Sequence, residues 1–263
     1  MVKHTGWLLN KYQPHAGDGL TSHHRLLGKP YTGDTLIIGE VSMFKAQGKV
    51  EKAAELGLPE AQGVMAERCN FGSYGVLKDR AKCVEWAKKA AEGGDRVGQH
   101  RLGYAYAHGE GGLAKDFALA LKWYEKAAEQ GGSAAMTNIG FLYENGGYGV
   151  AQNHAAAAGW FRRAAEAGSA AGQSNLGVCY YNGMGVGKDL AAARSWFQSA
   201  ADQGYTDSIR HLGFMMVNGE GGDRKLDEGV AQWEKAAAKG DTVSQKNLSK
   251  LSGSAFRTFF RMS

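Results

Sequence analysis

Six glycines, Gly57, Gly94, Gly131, Gly168, Gly204 and Gly240, stand 37, 37, 37, 36 and 36 residues apart. Each closes a copy of one short phrase, from Ala53-Ala54-Glu55-Leu56 before Gly57, through Ala127-Ala128-Glu129-Gln130 before Gly131, to Ala237-Ala238-Lys239 before Gly240. A period between about 20 and 50 residues marks stacked supersecondary units. One such unit is too thin to bury its apolar face alone and does so only against its neighbours, so the chain must form an array. Function in an array is expected to be a property of its surface.

The stretch from Val97 to Gly131 serves as a template. Its apolar residues are Leu102 and Tyr106, then, after a break, Phe117, Leu121, Tyr124, Ala127 and Ala128, and both halves carry helical spacing. The break, His108 to Lys115, holds Gly109, Gly111 and Gly112, which suit a turn with positive φ and not a helix. Asp116 can accept hydrogen bonds from the free N–H groups of a helix start, and Gly131 stands where a left-handed C-terminal cap is wanted. The unit is therefore predicted to be helix, glycine turn, helix. Leu102-Gly103 recurs as Ile139-Gly140, Leu176-Gly177 and Leu212-Gly213, and about 20 residues on stand Trp123, Trp160, Trp196 and Trp233. Glycine in mid-helix costs roughly 1 kcal/mol against alanine, so its return implies close helix contact, and the indole is the expected occupant of the notch. The first unit differs, with Ala66 in place of the glycine and Trp86 beyond it, and in the last Gln232 is in register with the indole.

The pattern Leu-Gly-x-x-Tyr, Asn-Gly-x-Gly-Val-x-x-Asp and Trp-(Tyr/Phe)-x-(Lys/Arg)-Ala-Ala-x-x-Gly resembles the Sel1-like repeat, a relative of the tetratricopeptide repeat. Leu176 to Asp189 followed by Trp196 to Ala201 nearly spells it. Local departures are Asn153 for the capping aspartate, Ser199 for the basic residue, and a fifth loop rearranged around Asp223 and Asp227. The resemblance implies an all-α chain, a right-handed α-solenoid of tandem helix-turn-helix units. Residues 41–251 would hold a half repeat, about five full repeats and a capping helix from Val243 to Leu251, with 1–40 and 252–263 outside the array.

With 31 basic against 26 acidic residues the net charge is +5, too little over a long surface to argue for nucleic acid or anionic lipid. No apolar run approaches the ~20 residues of a membrane span, and the first residues lack a secretory pattern. Cys69, Cys83 and Cys179 do not form the cysteine pairs that staple each repeat in the secreted Sel1-like proteins this chain resembles. An odd count is read as free buried thiols in a reducing, intracellular compartment. Cys69 occupies the place that Tyr106 and Tyr180 fill elsewhere and reads as core.

Residues 1–40 contain Pro14, Pro30, several glycines, His4, His15, His23 and His24, and a short β-like run at Leu36-Ile37-Ile38. Histidines without carboxylates or cysteines at ligand spacing are read as a leader and not as a metal site. The C-terminal tail, with Phe256, Arg257, Phe259, Phe260 and Arg261, mixes aromatic and basic groups after Ser252-Gly253-Ser254. It either docks a partner or a membrane surface or folds back over the last helix.

No nucleophile elbow, His-Glu-x-x-His helix or Cys-x-x-Cys pair occurs, and Gly183 to Asp189 fails as a phosphate loop because an aspartate stands where a hydroxyl is needed. Neither a catalytic residue nor a metal or other cofactor is expected. Glu92, Glu129 and Glu166 read as solvated helix ends. By resemblance to tetratricopeptide arrays, the first helix of each unit lines a concave groove. The residues before and after each Leu-Gly pair then point inward: Arg101 and Tyr104, Asn138 and Phe141, Asn175 and Val178, His211 and Phe214. Asparagine offers a partner's backbone both a donor and an acceptor, and the aromatics offer pockets. The chain is thus expected to be a non-enzymatic scaffold or adaptor for a protein or peptide partner. The alternatives are a subunit of a larger assembly docked through its termini and, from the family resemblance alone, a β-lactamase-type hydrolase.

Overall fold

The structure, a computed structural model, describes residues 48–73 and 76–261. Among them twelve helices follow one another, and the only β pairing is an isolated bridge between Gly147 and Val150. Helix α1 covers 48–55. Five hairpins follow: α2 (Pro59–Phe71) with α3 (Arg80–Glu92), α4 (Arg96–His108) with α5 (Phe117–Glu129), and α6 (Ser133–Asn145) with α7 (His154–Glu166). The last two are α8 (Ala170–Asn182) with α9 (Leu190–Asp202) and α10 (Thr206–Asn218) with α11 (Leu226–Ala238), before α12 (Thr242–Arg261). All ten hairpin helices have 13 residues, so the one-residue change of period lies in the turns. The turn inside each hairpin takes eight residues in the first three (72–79, 109–116, 146–153) and seven in the last two (183–189, 219–225).

Local chemistry sets these boundaries. Gly109 ends α4 with φ 68°, and Asp116 starts α5 by accepting a hydrogen bond from the Leu119 N–H at 2.9 Å. Asn153 caps α7 in the same way, accepting from Ala156 N–H at 3.0 Å, so that exchange keeps the function of the position. Helix α11 has Lys225 at its N-cap without a side-chain cap, and Asp227 and Glu228 in its first turn complement the helix dipole instead. The periodic glycines all have φ between 78° and 92°. A side chain at Gly131 would meet nothing within 4 Å, so the left-handed backbone alone demands glycine there.

The glycines within the first helices have the opposite reason. A Cβ at Gly103 would lie 2.7 Å from Tyr124 Cδ1, and one at Gly177 2.8 Å from Phe197 Cε1; Gly140 meets Phe161 in the same way. The notch is thus filled by the aromatic that follows the indole, not by the indole as the spacing suggested. Tyr124, Phe161 and Phe197 are fully buried, whereas Trp123, Trp160 and Trp196 are half-buried. One residue turns a helix by about 100°, enough to point its neighbour at the partner helix and leave the indole at the flank. There Trp86, Trp123 and Trp160 lie under Lys89, Lys126 and Arg163, with the cation 4.7, 4.2 and 3.9 Å from the ring centre. Trp233 is displaced by one place and is the residue that fills the notch at Gly213, with Cδ1 2.7 Å from the position of an added Cβ. In the first hairpin Ala66 and Ala87 stand at the glycine and ring positions, both buried. A methyl replaces the ring where a methyl replaces the hydrogen.

The Ala-Ala pairs serve the next contact outward. A Cβ on Gly172 would sit 2.6 Å from Ala164 Cβ, so α8 lies against α7 of the preceding hairpin with no room for larger groups. Gln130 Nε2 donates to Gln99 Oε1 and Gln203 Nε2 to Gln173 Oε1, each at 2.8 Å, tying the end of the second helix to the start of the first within a hairpin. The first helices of neighbouring hairpins also touch, α2 with α4 and α6 with α8. The three cysteines are free and buried.

Helix α12 runs without interruption from Thr242 to Arg261, whereas the sequence suggested a stop at Leu251. The backbone of Phe256, Arg257, Phe259, Phe260 and Arg261 is therefore helical, a continuation of the last helix and not a tail folded back upon it. Residues 1–47, including the four early histidines and Leu36-Ile37-Ile38, lie outside the described residues.

Candidate partner-binding face

The glycine of each Leu-Gly pair points at the second helix of its hairpin. At about 100° per residue, positions six and two before it and one and five after it fall within a stripe about 60° wide, turned well away from that contact. In α6 these are Ala134, Asn138, Phe141 and Asn145, and in α8 Ala171, Asn175, Val178 and Asn182. One flank of this stripe is core: Ile139 and Leu142 in α6, Leu176 and Cys179 in α8 are all buried. The eight expected groove residues thus belong to one recurring stripe, but their circumstances differ.

Arg101 is spent internally. It is buried, with Nη2 donating to Cys83 Sγ at 3.6 Å and standing 4.0 Å from Glu110 Oε2, a carboxylate that Arg80 approaches at 3.6 Å. It offers no open guanidinium to a partner. Its flank meets the Tyr104 ring at 5.0 Å, and Tyr104 stacks on His108 at 3.9 Å. Next to Arg101, His100 accepts from Asn138 Nδ2 at 3.0 Å, a bond that requires the neutral ring. Burial, with Arg101 and Arg96 adding repulsion, lowers its pKa to about 4. His211 lies flat against Phe197, ring centres 4.9 Å apart, and burial lowers its pKa too.

Phe141, Val178, Phe214 and Asn175 are the open members. Phe141 is 38% exposed with its edge on Phe161, and Phe214 is 40% exposed. Val178 and Asn175 are half-buried, and the Asn175 amide has no hydrogen-bond partner among the described residues. Asn182 and Asn218 share the stripe and are equally without side-chain hydrogen bonds among the described residues. Sequence reasoning left them out because an asparagine before a glycine reads as turn chemistry; their common distance from the Leu-Gly pair was the available signal.

Elsewhere the chemistry is structural. Gly183 ends α8 with φ 74° and Asp189 caps α9, so the glycine-lysine stretch is a turn. Glu92, Glu129 and Glu166 are exposed. No group of three or more His, Cys, Asp or Glu among the described residues could hold a metal ion, and none of the described helices is long and apolar enough to cross a membrane.

Two solved structures are close in sequence and form. A Sel1 repeat protein from Oxalobacter formigenes is 37% identical with a TM-score of 0.69, over 77% of this chain and 57% of its own. A protective antigen present in uropathogenic Escherichia coli strains is 35% identical with a TM-score of 0.69, over 78% of this chain and 43% of its own. The chain therefore spans about half the length of these relatives. No match is found among curated proteins. The Sel1 repeat model matches residues 59–95, 97–132, 133–169, 170–205 and 206–241, one match for each hairpin and together more than half of the sequence. On five consecutive matches that coincide with five packed hairpins, this chain belongs to the Sel1 repeat family.

Proposed function

We propose that this protein is a non-catalytic scaffold that holds a partner polypeptide along the stripe of its first helices. Sel1 repeat proteins generally mediate protein–protein interaction. The observation that carries the reading is the pairing of open apolar and open amide groups on one face: Phe141 and Phe214 remain more than a third exposed beside the unpartnered Asn175. Exposed aromatics are favoured anchors at interfaces, and an unpartnered amide loses nothing when a ligand's backbone binds it. The contact of α2 with α4 and of α6 with α8 supports placing these helices on the inner side of the array. Arg101 contributes by shaping the floor and not by direct contact.

The test is capture from a native extract by the wild type, by a Phe141→Ala, Phe214→Ala double variant, and by Leu77→Ala, a change at an exposed leucine off the stripe. Loss of specific partners by the double variant alone is expected. An unchanged partner set would refute the assignment of the face.

A further inference from the structure

From the charge and hydrogen-bonding pattern of this stripe we infer the class of ligand: an extended, uncharged polypeptide segment with an apolar side chain at every third residue. The inference rests on the proposed partner-binding face and specifies what that face takes.

Formal charge is absent from the middle of the stripe. On α6 and α8 every position is alanine, asparagine, phenylalanine or valine, although the whole chain carries 57 charged residues, 31 basic and 26 acidic. Charge returns only toward the ends, at Glu60 and Glu67 on α2, at Arg101 on α4 and at Asp207 on α10. A ligand charge placed over the middle would be desolvated without a counter-charge, so the segment lying there is neutral.

The free amides decide between an extended and a helical ligand. A helix satisfies its interior backbone groups within itself and has no use for a row of side-chain amides. An extended segment presents unpaired N–H and C=O groups along its length, and Asn175 and Asn182, on either side of Val178, each offer a donor and an acceptor. The spacing follows from the hairpin repeat. Packed helices lie about 10 Å apart and an extended chain advances about 3.3 Å per residue, so one hairpin spans about three ligand residues. Phe141, Val178 and Phe214 would then receive side chains i, i+3 and i+6.

Selection of a displayed random twelve-residue peptide library against the full chain tests this, with an Asn175→Lys, Val178→Lys double variant as counter-target. Asn175→Lys alone replaces it if the double variant loses helical circular dichroism. The expected consensus is apolar at i, i+3 and i+6 and depleted of Lys, Arg, Asp and Glu between them. In fluorescence anisotropy, glutamate at the central apolar position of a selected peptide should weaken binding about tenfold or more, and N-methylation of one central peptide bond about fivefold. A helical i, i+3, i+4, i+7 consensus, a charge-rich consensus, peptides that bind the variant equally well, or no enrichment would each overturn the inference. Partner capture that depends on Phe141 and Phe214 alongside any of those results would sink the ligand class and leave the binding face standing; capture indifferent to both residues would remove the face itself.

Discussion

Two helical glycines should respond to the same substitution with opposite signs. Gly159 lies in α7, exposed, and an added Cβ there meets nothing within 4 Å. Gly159→Ala therefore recovers helix propensity alone and should stabilise by up to about 1 kcal/mol. Gly177 lies in α8, where the same methyl would stand 2.8, 2.9 and 3.2 Å from Cε1, Cδ1 and Cγ of Phe197. That ring is fully buried and held by Ala193, Leu212 and Met215, so it has no free volume to retreat into. Overpacking of this kind costs about 1–3 kcal/mol, which exceeds the propensity gain and leaves Gly177→Ala destabilised by about 1 kcal/mol. Equilibrium urea unfolding followed by far-ultraviolet circular dichroism reads the sign directly from the midpoint, without requiring all-or-none unfolding of a repeat array. Adding Phe197→Ala should cost less in the Gly177→Ala background than in the wild type, because the clash has gone, as the native Ala66 and Ala87 pairing shows. If Gly177→Ala raises the midpoint as Gly159→Ala does, the close-approach explanation of the recurrent glycines is wrong.

Two further outcomes concern titratable groups. Cys69, Cys83 and Cys179 are buried, and burial pushes the Cys179 thiol up to about 11, so an aromatic disulfide reagent at pH 8 should label none of them until denaturant is added. Rapid labelling of the native protein would contradict this placement. His100 is held neutral in the folded state, its pKa lowered from 6.5 to about 4 by burial and by Arg101 and Arg96. The unfolded chain therefore binds a proton first, and this group's stabilisation is intact above about pH 6.5 and is lost as pH falls toward 4. Comparing urea midpoints of wild type and His100→Gln at pH 7 and pH 4.5 isolates the effect: wild type should lose more stability on acidification than the variant. Equal losses would mean that the ring is not held neutral.

The hairpins were legible because each boundary is local. Asp116, Asn153 and Asp189 cap the next few N–H groups, and Gly131 adopts a backbone conformation that its own lack of a side chain permits. The notch was only half legible. The sequence shows a glycine and two adjacent aromatics but not which of the two faces it, since neighbours on a helix differ by about 100° and only the seating of one helix on another selects a direction. The binding face divides in the same way: its stripe could be counted from the Leu-Gly pair, whereas the fate of each member could not. Arg101 and Asn175 hold equivalent positions, yet the first is buried against Cys83 and Glu110 and the second has an open amide.

By itself the sequence determined the number of units, their order and the reason for each turn, because period, capping and φ preference act over a few residues. Only the tertiary structure decided which groups are consumed within the array and which are left over for a partner. Burial and hydrogen bonding at any one position are set by side chains about 20 to 37 residues away, brought alongside by helix packing and by the stacking of one hairpin on the next.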